Sequence, residues 1–145
     1  MSNLHSDCVF CKIIAGDIPS YPVFEDDVVL AFLDISQATP GHTLVIPKQH
    51  LQDIYAMSSE QAGAIFSRIP QIARAIRASD PQIKGMNIVN DNGVVAYQSV
   101  FHAHFHLIPR YQPTDDFNIH FGDHSTDYQP QQYQALQTAI KKQLH

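Results

Sequence analysis

Between Ser58 and Asp80 the apolar residues Ala62, Ile65, Phe66, Ile69, Ile72, Ala73 and Ile76 recur at intervals of three and four, a spacing that a helix gathers onto one face. Ser58 and Gln61 have the spacing of a capping box at its start, and Asp80–Pro81 closes its end. Pro70 lies inside the stripe and lacks an N–H, so it predicts a kink; the stripe keeps its phase across the proline, which predicts one long bent helix. Such a helix needs an apolar surface to lie on, and the flanking sequence supplies β-rich runs. "YPVFE" and "VVLAFLD" read as a hairpin around Asp26–Asp27, "HTLVIPK" follows the Pro40–Gly41 turn, "MNIVN" is a fourth strand, and the run entered from Ser99 is a fifth. Strands grouped apart from helices predict an α+β domain on an antiparallel sheet of about five strands, with residues 1–145 as one domain. A short helix from Cys8 to Ala15, stopped at Gly16, and a short C-terminal helix from Pro130 complete it. The latter carries Tyr133, Leu136, Ile140 and Leu144 on one stripe, with Lys141 and Lys142 in its last turn.

Charge narrows the partners. The net charge is −5 and no Lys/Arg run occurs, which argues against bulk DNA or RNA, since such binding needs clustered cations to neutralise phosphates. A small anion held by a few directed donors remains allowed. No stretch of 18 apolar residues and no leader-like N-terminus is present, so the expectation is a soluble, cytoplasmic protein without a membrane partner. Nine histidines equal the number of Lys plus Arg, and Trp is absent. Histidine is therefore where chemistry is to be sought.

The densest histidine segment is "SVFHAHFHLIPRY". In a strand, residues i, i+2 and i+4 share a face, so His102, His104 and His106 would line one side and Ala103, Phe105 and Leu107 the other. Imidazoles so arranged have two uses. A His-x-His pair can hold zinc, with a further ligand from elsewhere and water on an open position. Alternatively, neutral imidazole is a good nucleophile near pH 7, with neighbours that neutralise charge on a substrate. Spacing alone does not separate the two.

"QSVFHAHFHLIPRY" resembles the signature of the histidine-triad superfamily, and the resemblance extends through "CVFCKIIAGDIPS", "EDDVVLAFLDISQATPGHTLVIPKQH" and "NIVNDNG". It most resembles the Hint branch and its bacterial members. The third triad position is His106, where the hexose uridylyltransferase branch has glutamine, which favours a hydrolase. The resemblance implies a HIT-like fold, a homodimer, and cleavage at the α-phosphate of a purine nucleotide, in a phosphoramidate or a dinucleoside polyphosphate. In that scheme His104 forms a covalent nucleotidyl-histidine, helped by His102, His106 and a fourth histidine, His42. Asn90, Gln98 and Ser99 match positions that contact phosphate and nearby oxygens, Asp34 matches the ribose-binding carboxylate, and Phe10, Phe32 and Ile35 match the apolar clamp on the base. The family commonly has glycine before the Gln-Ser pair, and Tyr97 stands there, so its ring either turns outward or narrows the leaving-group side.

Cys8 and Cys11, the two cysteines, form a C-x-x-C that suits a redox pair, two buried thiols or part of a zinc site. Zinc is preferred because thiolates and imidazoles together complete a tetrahedron and histidines are in surplus. Bacterial relatives resembling this chain complete their zinc with residues matching His50 and His102, which implies a structural ion and no catalytic cofactor. Two rivals follow. In one, triad histidines hold a catalytic zinc; in the other, the chain is a nucleotide-binding module without catalysis. His120 and His124, in the segment 114–129, read as exposed loop residues.

Overall fold

The computed structural model describes residues 4–144. Five strands, β1 (Pro22–Glu25), β2 (Val29–Leu33), β3 (Thr43–Pro47), β4 (Gly85–Val89) and β5 (Phe105–Arg110), form one antiparallel sheet in the order β1-β2-β3-β5-β4. The α+β reading and the strand number are thus as expected. Centrally placed β2 and β3 are buried along almost their whole length, which explains why both read as continuous apolar runs.

The sheet has two differently used faces. On one, Val29, Ala31, Val45, Phe105 and Leu107 pack with Ile65, Ile69, Ile72 and Ile76 of the mid-chain helical segment. On the other, Leu30, Phe32, Leu44 and Ile46 pack with Cys8, Phe10 and Cys11 of α1 (Val9–Ala15) and its cap. Register links this second face to the triad, because Leu44 lies opposite His106 and Val45 opposite Phe105.

Three expectations need correcting. The mid-chain helix is two helices, α2 (Ser59–Phe66) and α3 (Ile69–Ser79), although Ser58 and Gln61 do form the capping box. Pro70 cannot donate to the carbonyl four residues back and its ring crowds that carbonyl, so the chain tightens at Ser67–Arg68, where the Arg68 N–H bonds the Ile65 carbonyl at 3.1 Å. The apolar phase survives the break, since all four isoleucines stay buried. Secondly, the C-terminal helix α4 (Pro130–Gln143) is not short; at 14 residues it is longer than α3, and none of its side chains is buried. Thirdly, β5 begins at Phe105, so only His106 of the triad lies in the strand, while His102 and His104 occupy the irregular approach to it. Among the described residues no helix is long and apolar enough to cross a membrane.

Candidate functional site

Main-chain groups decide what each buried histidine offers, because a carbonyl only accepts and an amide only donates. The His104 Nδ1 lies 2.8 Å from the His102 carbonyl, so Nδ1 carries the hydrogen and Nε2 the lone pair. His102 Nε2 lies 2.8 Å from the Pro47 carbonyl and must likewise be protonated. Its Nδ1 lone pair then faces the sulfurs of Cys8 and Cys11, each 3.5 Å away. At His42 the sense is reversed. The Ala38 N–H donates to its Nδ1 at 3.2 Å, so Nε2 carries the hydrogen and donates it to His106 Nδ1 at 2.9 Å. His106 is left with an Nε2–H.

Burial favours the neutral form of His102, His106, His42 and His50. His102 is wholly buried, and burial, assisted by the neighbouring His50 and His104, pushes it down to about 4 despite the opposing Pro47 bond. His106 is also pushed down to about 4, first by burial and then by His104 and His42. His42 and His50 are lowered for the same leading reason. Asp34 stays ionised: burial raises it, but the Ser36 hydroxyl and amide, at 2.6 and 2.8 Å from Oδ1, outweigh that and leave it lowered. Its other oxygen lies 3.7 Å from His42 Nε2.

A cleft of about 320 Å³ opens on the α1 face. Phe10, Phe32 and Leu44 form its apolar wall, Ile35 stands exposed at its mouth, and Asp34, Ser99, His104 and His106 supply its polar side. Phe10 meets the His104 ring edge to face at 5.1 Å between centroids. A larger groove of about 510 Å³ between α3 and the β1–β3 end of the sheet is lined by Val23, Phe24, Ile72 and Ile76 and contains no titratable group, so size does not mark the site.

Of the residues expected to bind nucleotide, Phe10, Phe32, Asp34, Ile35 and Ser99 meet at the cleft with His104 and His106. Asn90 and Gln98 do not line it. Asn90 donates to the His104 carbonyl at 3.0 Å and accepts from Asn92. Gln98 is 3% exposed, donates to the carbonyls of Gln52 and Val100, and accepts from the Gly93 N–H. Both therefore brace the backbone that carries the histidines, because their polar groups meet protein partners. Tyr97 takes the left-handed conformation natural to glycine, φ 70°, and its ring turns outward, 87% exposed. Leu44 was not singled out from the sequence, although alternation across β3 from His42 places it on this face. Val100 and the Ile18–Ser20 turn also line the cleft, and only folding brings them there. His120 and His124 are exposed, the latter 2.9 Å from Asp127.

Next to this cleft lies a second cluster. The ligand atoms of Cys8, Cys11, His50 and His102 all fall within 4.8 Å of one another, and His50 Nδ1 is 3.3 Å from Cys11 Sγ. A tetrahedral zinc with bonds of about 2.0–2.3 Å separates its ligands by about 3.5 Å, so this donor set fits that ion. Cys8 caps α1 and its sulfur accepts the Cys11 N–H at 3.1 Å, which fixes the pair in this orientation. Burial pushes the Cys11 thiol up to about 11 in the metal-free protein, so an ion would have to displace its proton. His5, which no sequence pattern marked, stacks on His50 with ring centroids 3.8 Å apart.

Residues 15–113 match the family model described as the HIT domain. The chain is 53% identical over 138 residues to the Hit protein of Bacillus subtilis, covering 95% of this chain and 94% of the relative. It is 35% identical over 137 residues to an adenosine 5'-monophosphoramidase of Schizosaccharomyces pombe, covering 94% and 98%. A crystal structure of a HIT family member from Bacillus subtilis superposes with a TM-score of 0.92 at 52% identity, covering 97% of this chain and 99% of that one. A zinc-bound histidine triad family protein from Mycobacterium smegmatis superposes at 0.72 with 34% identity, covering 94% and 96%.

Proposed function

The chain belongs to the HIT-domain family, and from that premise we propose that it hydrolyses purine nucleotides at the α-phosphate, a phosphoramidate or a dinucleoside polyphosphate giving the nucleoside monophosphate. The observation that carries this reading is the His104 tautomer. With Nδ1–H held by the His102 carbonyl, the Nε2 lone pair belongs to a residue that lines the cleft, the requirement for attack on phosphorus. In the first step the Nε2–P bond forms and the bond from phosphorus to the leaving nitrogen or oxygen breaks, its electron pair going to the leaving group, which takes a proton from solvent water as it departs. In the second step water attacks the same phosphorus and gives up a proton to solvent, and the electron pair of the N–P bond returns to His104 Nε2. The Nε2–H of His106 and the Ser99 hydroxyl are donors for the non-bridging oxygens. Asp34 accepts from the ribose hydroxyls, and Phe10, Phe32 and Ile35 hold the base. The phosphoramidase relative supports this substrate class.

Cys8, Cys11, His50 and His102 are proposed to hold a structural Zn²⁺, a reading that the fit of the donor set and the zinc-bound relative support. When bound, the ion supplies charge and a cross-link, with four protein ligands leaving no position for substrate. Reduced thiols suit the cytoplasm. Homodimerisation is proposed through β4, an edge strand paired with β5 on one side, whose Ile88 is half exposed; a monomer mass by light scattering would overturn it.

The test of the main reading is a reaction with an adenosine phosphoramidate quenched in denaturant and mapped by mass spectrometry. An adenylyl adduct on His104 is expected. Turnover with the adduct on another residue would remove His104 from its role, and no turnover on any nucleotidyl substrate would leave a binding module.

A further inference from the structure

The loop between β2 and β3 carries both Asp34 and His42, and one side chain ties it together. Gln37 Nε2 donates to the carbonyls of Asp34 and His42, each at 2.7 Å, and its Oε1 accepts the Gly41 N–H at 2.8 Å. Gln37 does this from a left-handed backbone, φ 43°, a conformation that residues with a β-carbon rarely adopt. The following residue, Ala38, is the one whose N–H reaches His42 Nδ1. Strain held by three side-chain hydrogen bonds, directly before the amide that selects a tautomer, indicates that the loop is built around that amide.

We propose that Gln37 is a positioning residue: its amide clamps the loop so that the Ala38 N–H occupies His42 Nδ1 and holds His42 as the Nε2–H donor to His106. This rests on the reading of His106 as a donor to substrate. Two consequences follow from the one lock. His42 directs its hydrogen at His106 Nδ1, which keeps His106 Nε2–H turned to the cleft. The lock also keeps divalent ions away. Asp34, His42 and His106 have ligand atoms within 4.8 Å of one another, a spacing that invites a metal. To ligate through Nε2, neutral His42 would have to move its hydrogen to Nδ1, directly against the Ala38 N–H, so the tautomer that serves catalysis rejects the ion.

The test uses zinc-loaded protein and two variants. Gln37→Glu keeps the shape but removes both donated bonds, and Gln37→Gly removes the clamp while relieving the positive φ. Nitrogen-15 spectra of the histidine rings are expected to show His42 as Nε2–H in the wild type and as a mixture of tautomers in both variants. kcat for the phosphoramidate is expected to fall about tenfold with KM within about twofold, and added Cd²⁺ to inhibit the variants at concentrations at least about tenfold lower than the wild type. A purely structural Gln37 predicts that Gln37→Gly, freed of strain, matches or exceeds the wild type in stability and keeps kcat. Wild-type tautomer and kcat in both variants would overturn the proposal. If the wild type turns over no nucleotide yet the tautomer shifts as described, the lock stands and the proposed activity fails.

Discussion

The cluster around Cys8 and Cys11 and the cluster around Asp34 are built from the same ring, yet they present opposite edges of it. His102 gives its Nε2–H to a carbonyl, and the bare Nδ1 faces two sulfurs; His42 has its Nδ1 lone pair filled by an amide, and its Nε2–H faces another histidine. A carbonyl neighbour thus leaves a bare lone pair, able to ligate a metal or to attack, and an amide neighbour leaves a hydrogen donor. The two regions meet at His102, whose side chain belongs to the first while its main-chain carbonyl orients His104 in the second. Spacing in the sequence treats the triad as three equal members; the backbone around each one assigns it a separate task.

The comparison breaks most sharply at His104. His104→Ala is expected to lower kcat by about 10³-fold or more while nucleotide binding, read by calorimetry, stays within about tenfold, because the lost interaction belongs to the transition state. A kcat near wild type would place the nucleophile elsewhere. Zinc content in this variant is expected to be unchanged, which separates the two clusters.

Cys8→Ser attacks the other side. Metal analysis is expected to show loss of zinc, the melting temperature is expected to fall by on the order of 10 °C, and kcat below that temperature is expected to fall by less than about tenfold. Chelation of the wild type extends the same test. Complete loss of turnover in protein that remains folded by circular dichroism would mean that zinc takes part in the chemistry and that the division of labour is wrong.

The smallest effect sharpens the second cluster through pH. His106 is held near 4 when folded and returns to about 6.5 when unfolded, so between these values the unfolded chain binds the extra proton. Its contribution to stability is therefore fully present above about pH 6.5 and is lost as pH falls toward 4, with a slope of at most about 1.4 kcal/mol per pH unit. Denaturant titrations of wild type and His106→Asn from pH 7 to 4.5 measure it. Equal slopes in the two proteins would show that His106 is protonated in the folded state too.

Much of the architecture was legible because it rests on local periodicity. The apolar phase from Ile65 to Ile76 survived the break at Ser67–Arg68, since burial depends on which face a residue occupies and not on an unbroken helix. The break itself follows from Pro70, whose effect the stripe concealed. Phe10, Phe32, Asp34, Ile35 and Ser99 lie at one cleft, whereas the side-chain donors of Asn90 and Gln98 meet backbone carbonyls that no motif displays.

The sequence by itself determined the strands and the face on which the histidines gather, because side-chain alternation is a property of neighbouring residues; His50 and His102 lie 39 and 91 residues from Cys11, and folding brings them to the thiols. Tertiary structure alone decided which nitrogen each histidine exposes. That choice depends on Pro47, Ala38 and the His102 carbonyl, main-chain groups that every sequence possesses and that acquire meaning only when folding aims them at a particular ring.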